Sequence, residues 1–99
     1  MIARHWKGIA KSERAGAYIN HLLSETIPEL KKIDGFHAAS VLRRPIAAGI
    51  EFLVITSWDS MDAIRQFAGK NTDQAVVPDN VRDMMIDFDE IVVHYEVVL

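Results

Sequence analysis

The chain predicts an α+β fold: a ferredoxin-like βαββαβ arrangement whose antiparallel four-stranded sheet carries helices on one face. A long apolar-striped helix follows a β-compatible first segment. Two strand-like runs then lie too close together for a crossover, so they must pair as an antiparallel hairpin. A second helical region leads into a closing valine-rich run. All 99 residues read as one domain, since compact domains run about 100–150 residues.

Residues 2 to 9 form the expected first strand, its β-compatible side chains ending at Gly8. Ser12 offers an N-cap hydroxyl and Glu13 a charge in the first turn. Ala15, Ile19, Leu22, Leu23, Thr26, Leu30 and Ile33 follow at three- and four-residue steps, one face of a helix. Pro28 predicts a kink or short break there, because it lacks an amide donor and crowds the preceding turn. Asp34-Gly35 ends the element. Phe36 to Leu42 and Ile50 to Trp58 are the hairpin strands, joined through Arg43, Arg44, Pro45 and Gly49. Ser60 caps a helix carrying Met61, Ile64, Phe67 and Ala68, and Gly69 stops it. Asp79 is expected to cap a further helix with Val81, Met84, Met85 and Phe88 on one face. Glu90 to Leu99 completes the sheet.

Apolar residues make up 49% of the chain and charged ones 25%, the balance of a globular protein rather than a disordered one. The absence of cysteine excludes disulfides, thiolate metal sites and cysteine nucleophiles. A net charge of −3, with scattered lysine and arginine, argues against a nucleic-acid surface. No apolar run approaches the roughly 18–20 residues of a membrane span, and the start has no apolar stretch of a secretory signal. A cytoplasmic location without membrane attachment is expected. No serine-nucleophile pattern, phosphate-binding glycine loop or dinucleotide fingerprint occurs.

Alternation puts Phe52, Val54, Thr56 and Trp58 towards the helices and Glu51, Leu53, Ile55 and Ser57 away from them. Burying that second apolar face against another copy predicts a homodimer. In the last strand the same logic sends Tyr95 inward, and His94 and Glu96 to the far face. Arg4 is expected there too, as partner for Glu51 and Glu96. Ile2, Arg4 and Trp6 then face the dimer, while Ala3 and His5 lie under the helices near Trp58.

A strand ending in Trp58, followed by x-Ser60-x-x-Ala63 opening a helix, resembles the antibiotic biosynthesis monooxygenase domain. Arg4-x-Trp6, Asp34-Gly35-Phe36, Phe67 and His94-Tyr95-Glu96 extend the resemblance over nearly the whole chain. It implies a dimeric α+β barrel with a pocket in each subunit between sheet and helices. Some members of that family oxidise phenolic or anthrone-like polyketides without metal or flavin, the deprotonated substrate passing an electron to dioxygen. No cofactor and no metal are therefore expected, and the partner is a small molecule.

On this resemblance Trp58 is the pocket tryptophan, with His5 as base and Arg82 as oxyanion holder. Phe52, Val54, Ile64, Phe67, Met84, Met85 and Tyr95 are the candidate lining. Each has a plainer reading: His5 as a hydrogen-bonded core histidine, Trp58 as a packing anchor, the methionines as core filler. His94 and Glu96 stand two apart without a third ligand, too few for a metal. His21 falls on the polar side of its helix, and His37 has no partner visible in sequence. Polyketide-oxidising members carry asparagine and tyrosine where this chain has Val54 and Ile64. The haem-degrading branch has asparagine, tryptophan and histidine where Lys7 or Trp6, Phe67 and Val77 stand, so haem degradation is not expected. Two functions remain: cofactor-independent oxidation of a quinol-like or polyketide-like aromatic, or a non-catalytic dimeric binding module.

Overall fold

A computed structural model describes all 99 residues. Its centre is β1 (Ile2–Ala10), which pairs antiparallel with β3 (Ile50–Trp58) from Ile2 opposite Trp58 to Ala10 opposite Ile50. Outside β3 lies β2 (Phe36–Pro45), the antiparallel partner expected of the hairpin. The other side of β1 is covered by two short strands placed end to end. β4 (Met85–Phe88) lies beside Gly8–Ala10, and β5 (Val93–Glu96) beside Ile2–His5. The architecture is the expected α+β sheet with helices on one face, although its fourth position is filled by two strands rather than one.

Two expected elements change identity here. Residues 85–88 carry helical periodicity yet form β4, because pairing with the end of β1 outweighs a local preference. The closing strand is correspondingly only Val93–Glu96, shorter than Glu90 to Leu99. Two expected caps are also absent. Ser12 opens a 3₁₀ turn (Ser12–Arg14) without a side-chain cap, and Pro78 rather than Asp79 precedes α4 (Asp79–Met84). Ser60 caps α3 (Met61–Ala68) as expected: its Oγ accepts from the Ala63 amide at 3.2 Å, and Gly69 ends the helix at φ 81°.

Pro28 has the anticipated local effect, in a specific form. α1 (Ala15–His21) widens into a π turn over Leu22–Thr26 before α2 (Ile27–Leu30). Pro28 cannot donate to the carbonyl four residues back and its ring crowds that group; the wider turn makes room. The buried helix face is Ala15, Tyr18, Leu22 and Leu30, whereas Leu23 is exposed.

The register settles which side chains share a face, since residues opposite each other on paired strands point the same way. Arg4 lies opposite Thr56 and Trp6 opposite Val54, so both are under the helices. His5 lies opposite Ile55, on the open face. The expected assignment of β1 is thus inverted. On β5, His94 is opposite Arg4 and Tyr95 opposite Ala3, which inverts that strand as well. Glu51 is satisfied by Arg44 at 2.5 Å and Lys7 at 4.0 Å, not by Arg4. β3 keeps its expected faces: Phe52, Thr56 and Trp58 are buried and Leu53 and Ile55 point away.

The core has two parts. One gathers Tyr18, Leu22, Phe52, Val81, Met84 and Met85; the other gathers Leu30, Trp58, Ala63 and Ile64.

Candidate functional site

Between these two clusters the packing does not close. A cavity of about 80 Å³ remains, with Tyr18, Leu22 and Val81 of one cluster and Leu30 of the other among its walls. Arg4, Trp6, Val54 and Thr56 make its sheet side. Phe67 from α3 and the Val76-Val77-Pro78 segment close further sides, and 10 of the 15 lining residues are hydrophobic, so the hollow favours an apolar ligand body.

Arg4 is the charged group of this cavity, and only 4% of it is exposed. Its Nη1 donates to the Thr72 carbonyl at 2.5 Å and to His94 Nε2 at 2.9 Å; its Nη2 donates to the Gln74 carbonyl at 3.0 Å. A guanidinium only donates, so His94 Nε2 must accept and Nδ1 must carry the ring proton. That Nδ1 lies 3.5 Å from Asp73 Oδ1. Burial, helped by the Arg4 charge, holds His94 below the ordinary histidine range, with Asp73 opposing. Burial also lowers Arg4 from its usual value, again against Asp73, yet a guanidinium stays protonated in proteins. With no carboxylate within ion-pair distance of Arg4 and a neutral His94 beside it, the cavity keeps a net positive wall.

Trp6 is held over the strand it belongs to. Its indole Nε1 donates to the Asp89 carbonyl at 3.0 Å, and the ring lies across Gly8, where a Cβ would meet Trp6 Cη2 at 2.4 Å. Only glycine leaves that space.

The site residues predicted from sequence divide sharply. Val54 and Phe67 line the cavity. Trp58 does not: it is fully buried behind the wall, donating to Thr56 Oγ1 at 2.8 Å and stacking on Phe67 at 6.1 Å between ring centroids. Thr56 and Phe67 therefore stand between the hollow and this indole. Phe52, Ile64, Met84 and Met85 are core. His5 packs edge-on against Tyr95 at 4.9 Å on the open face, so neither reaches the cavity. Arg82 is on the surface over Phe88, donating to the Val77 carbonyl at 3.2 Å and facing Glu90 at 3.5 Å. Arg4, Thr56, Tyr18 and His21 were not among the predicted site residues. In sequence only the bulk of Ile2 and Trp6 against Ala3, His5 and Lys7 hints at this face of β1, too little to outweigh the expected pairing of Arg4 with Glu51 and Glu96.

No protein-family model matches the chain, and no curated protein matches it by sequence. Solved structures do. A proposed antibiotic biosynthesis monooxygenase from Bacillus cereus is 21% identical, with 100% of this chain and 93% of that one covered, at a TM-score of 0.68. A second, from Deinococcus radiodurans, is 19% identical over 98% and 92% of the two chains, at 0.64. The fold is that of the antibiotic biosynthesis monooxygenase structures.

The heme-degrader MhuD from Mycobacterium tuberculosis, solved with two hemes in its active site, shares this monooxygenase-type fold at a TM-score of 0.58 and 19% identity, over 98% of this chain and 96% of that one. The cavity here does not suit a heme. Large-ligand pockets run to roughly 300–1,000 Å³, against about 80 Å³ here.

Proposed function

We propose that this chain oxidises a small, single-ring phenol or quinol with dioxygen, without a resident cofactor, inside the cavity between sheet and helices. The observation that carries this reading is a buried guanidinium, free of any carboxylate partner, on the wall of an otherwise apolar hollow. The similarity to monooxygenase-type structures supports it. The volume favours one ring over the fused systems of polyketides.

The chemistry asks for a phenolate. Hydrogen bonds to charged groups contribute about 1.5–3 kcal/mol, so Arg4 favours the bound phenolate roughly ten- to hundredfold. An electron passes from that anion to dioxygen, and the two radicals join at the ring carbon para to the oxygen. From a phenol, whose para carbon carries hydrogen, loss of water then gives the quinone; from a quinol, whose para carbon carries a hydroxyl, loss of hydrogen peroxide gives it. The substrate supplies every electron, so no outside reductant enters. The open sheet face supports action as a homodimer.

A non-catalytic binding module is the second reading, favoured by apolar Val54 and Ile64 and by the walled-off Trp58. Oxygen uptake corrected for autoxidation decides between them. Uptake is expected with methyl-hydroquinone and not with anthrone, and Arg4→Met should lower it more than tenfold. Binding without uptake would establish the module; neither binding nor uptake would remove both readings.

A further inference from the structure

We propose that His21, oriented by Glu25, is the proton acceptor of this cavity, and that its ligand is therefore a neutral hydroxyl compound ionised on binding. This rests on the reading of the cavity given above. The chain has four histidines, and geometry removes three. His5 is on the opposite face of the sheet. His94 has its Nε2 lone pair taken by Arg4. His37 is at the surface, paired with Asp59. His21 alone of the four combines a place on the cavity wall with an uncommitted ring nitrogen.

The His21 side chain is 10% exposed, and its Nδ1 lies 2.7 Å from Glu25 Oε2, one turn further along the helix. A carboxylate only accepts, so Nδ1 carries the proton and Nε2 is left as the acceptor, without a protein partner. Asn80 Nδ2 approaches the same Nδ1 at 3.4 Å, too far and with the wrong polarity to compete for it. These are the polar groups that face the ring, Glu25 from its own helix and Asn80 from α4. Arg4 is the charged group on the sheet side of the cavity.

The π turn helps to build this wall. His21, Leu22, Thr26 and Leu30 all reach the cavity. In a regular helix each four-residue step overshoots a full turn by about 40°, which would carry Thr26 and Leu30 progressively off that face. A turn wider than 3.6 residues brings them back.

The step is a proton transfer with its charges balanced. The ligand O–H proton moves to His21 Nε2, giving an imidazolium against the Glu25 carboxylate and a phenolate beside Arg4. Nothing is released to solvent. Glu25 touches no ligand in this scheme and is a positioning residue.

The probe is 3-nitrophenol, neutral in solution at neutral pH, whose anion absorbs visible light. Bound to the wild-type chain it should show the anion band. Titration calorimetry in buffers of different ionisation enthalpy should find no proton released. His21→Gln should bind the probe with at least a tenfold weaker band. Glu25→Gln, at a residue whose side chain is 64% exposed, should leave binding intact but change the His21 ring-nitrogen NMR signals, because Nδ1–H is no longer held by a carboxylate. An anion band with one proton released per probe would assign ionisation to Arg4 alone and overturn the proposal. Binding without the band would overturn it too. A probe that does not bind the wild type at all would instead refute the cavity reading beneath it. Should His21→Gln fail to fold, the wild-type proton count still decides.

Discussion

Arg4 and His94 form a pair whose two members answer pH differently. The guanidinium donates to the Thr72 and Gln74 carbonyls and to the imidazole, and that last bond needs His94 neutral. Protonated, His94 would turn a second set of donors towards Arg4. Burial and the Arg4 charge keep the folded pKa of His94 below its ordinary value, the unfolded chain's being about 6.5. Between those two values the unfolded chain holds more protons, so stability falls as pH drops through that window and is fully present above it. The urea midpoint of the wild type should therefore decline as pH falls below about 6.5, and His94→Gln should flatten that decline. An equal decline in both would remove His94 as the cause. The inversion of β1 was not legible in sequence for a related reason. A buried arginine suggests carboxylate partners, and Glu51 and Glu96 were the available candidates; the acceptors are instead backbone carbonyls of the 70–78 segment. Carbonyls carry no sequence signal.

At the scale of elements, the break at Pro28 was readable and its consequence was not. A proline inside an apolar stripe announces a disturbed helix, but only coordinates show that the disturbance is a π turn that brings Tyr18, Leu22, Thr26 and Leu30 to one cavity. His21 looked solvated because a regular helical wheel puts it on the polar side. Pro28→Ala should let the segment tighten to ordinary i→i−4 bonding. We expect probe affinity to fall several-fold while stability rises by about 1–2 kcal/mol, a helix-interior proline being unfavourable by up to ~3 kcal/mol and its stiffening of the unfolded chain offsetting part of the gain. Urea unfolding and the 3-nitrophenol titration read the two effects separately. Loss of both together would mean that the proline holds the helix in place rather than shaping it. The split of the fourth strand into β4 and β5 was likewise hidden, since Met84, Met85 and Phe88 fit a helical face equally well.

For the whole molecule, the sheet's uncovered side is the dominant feature. Leu42, Val93 and Tyr95 are 48–54% exposed there, with Leu53 and Ile55 between them and His5 against Tyr95. An apolar surface of this kind calls for cover, and a self-complementary patch would supply it for two copies at once. Ile55→Glu sets a carboxylate at its centre, where burial without a cation is costly. Sedimentation equilibrium should show the wild type dimeric and this variant monomeric at micromolar concentration, with thermal stability that no longer depends on concentration. A monomeric wild type would refute the assignment. The order and pairing of the first three strands, and this apolar face, were predictable because hairpin spacing and alternation are local signals. Which residues of β1 and β5 belong to which side was not, since neither strand alternates cleanly between apolar and polar.

Arg4 and His5 are neighbours in the chain that serve opposite sides of the sheet. An inserted or deleted residue within β1 would exchange every position beyond it, sending Lys7 inward and the Trp6 indole outward. Length variation among descendants of this sequence should accordingly be tolerated in the turn at 46–49 and excluded from that strand, whatever becomes of the individual side chains.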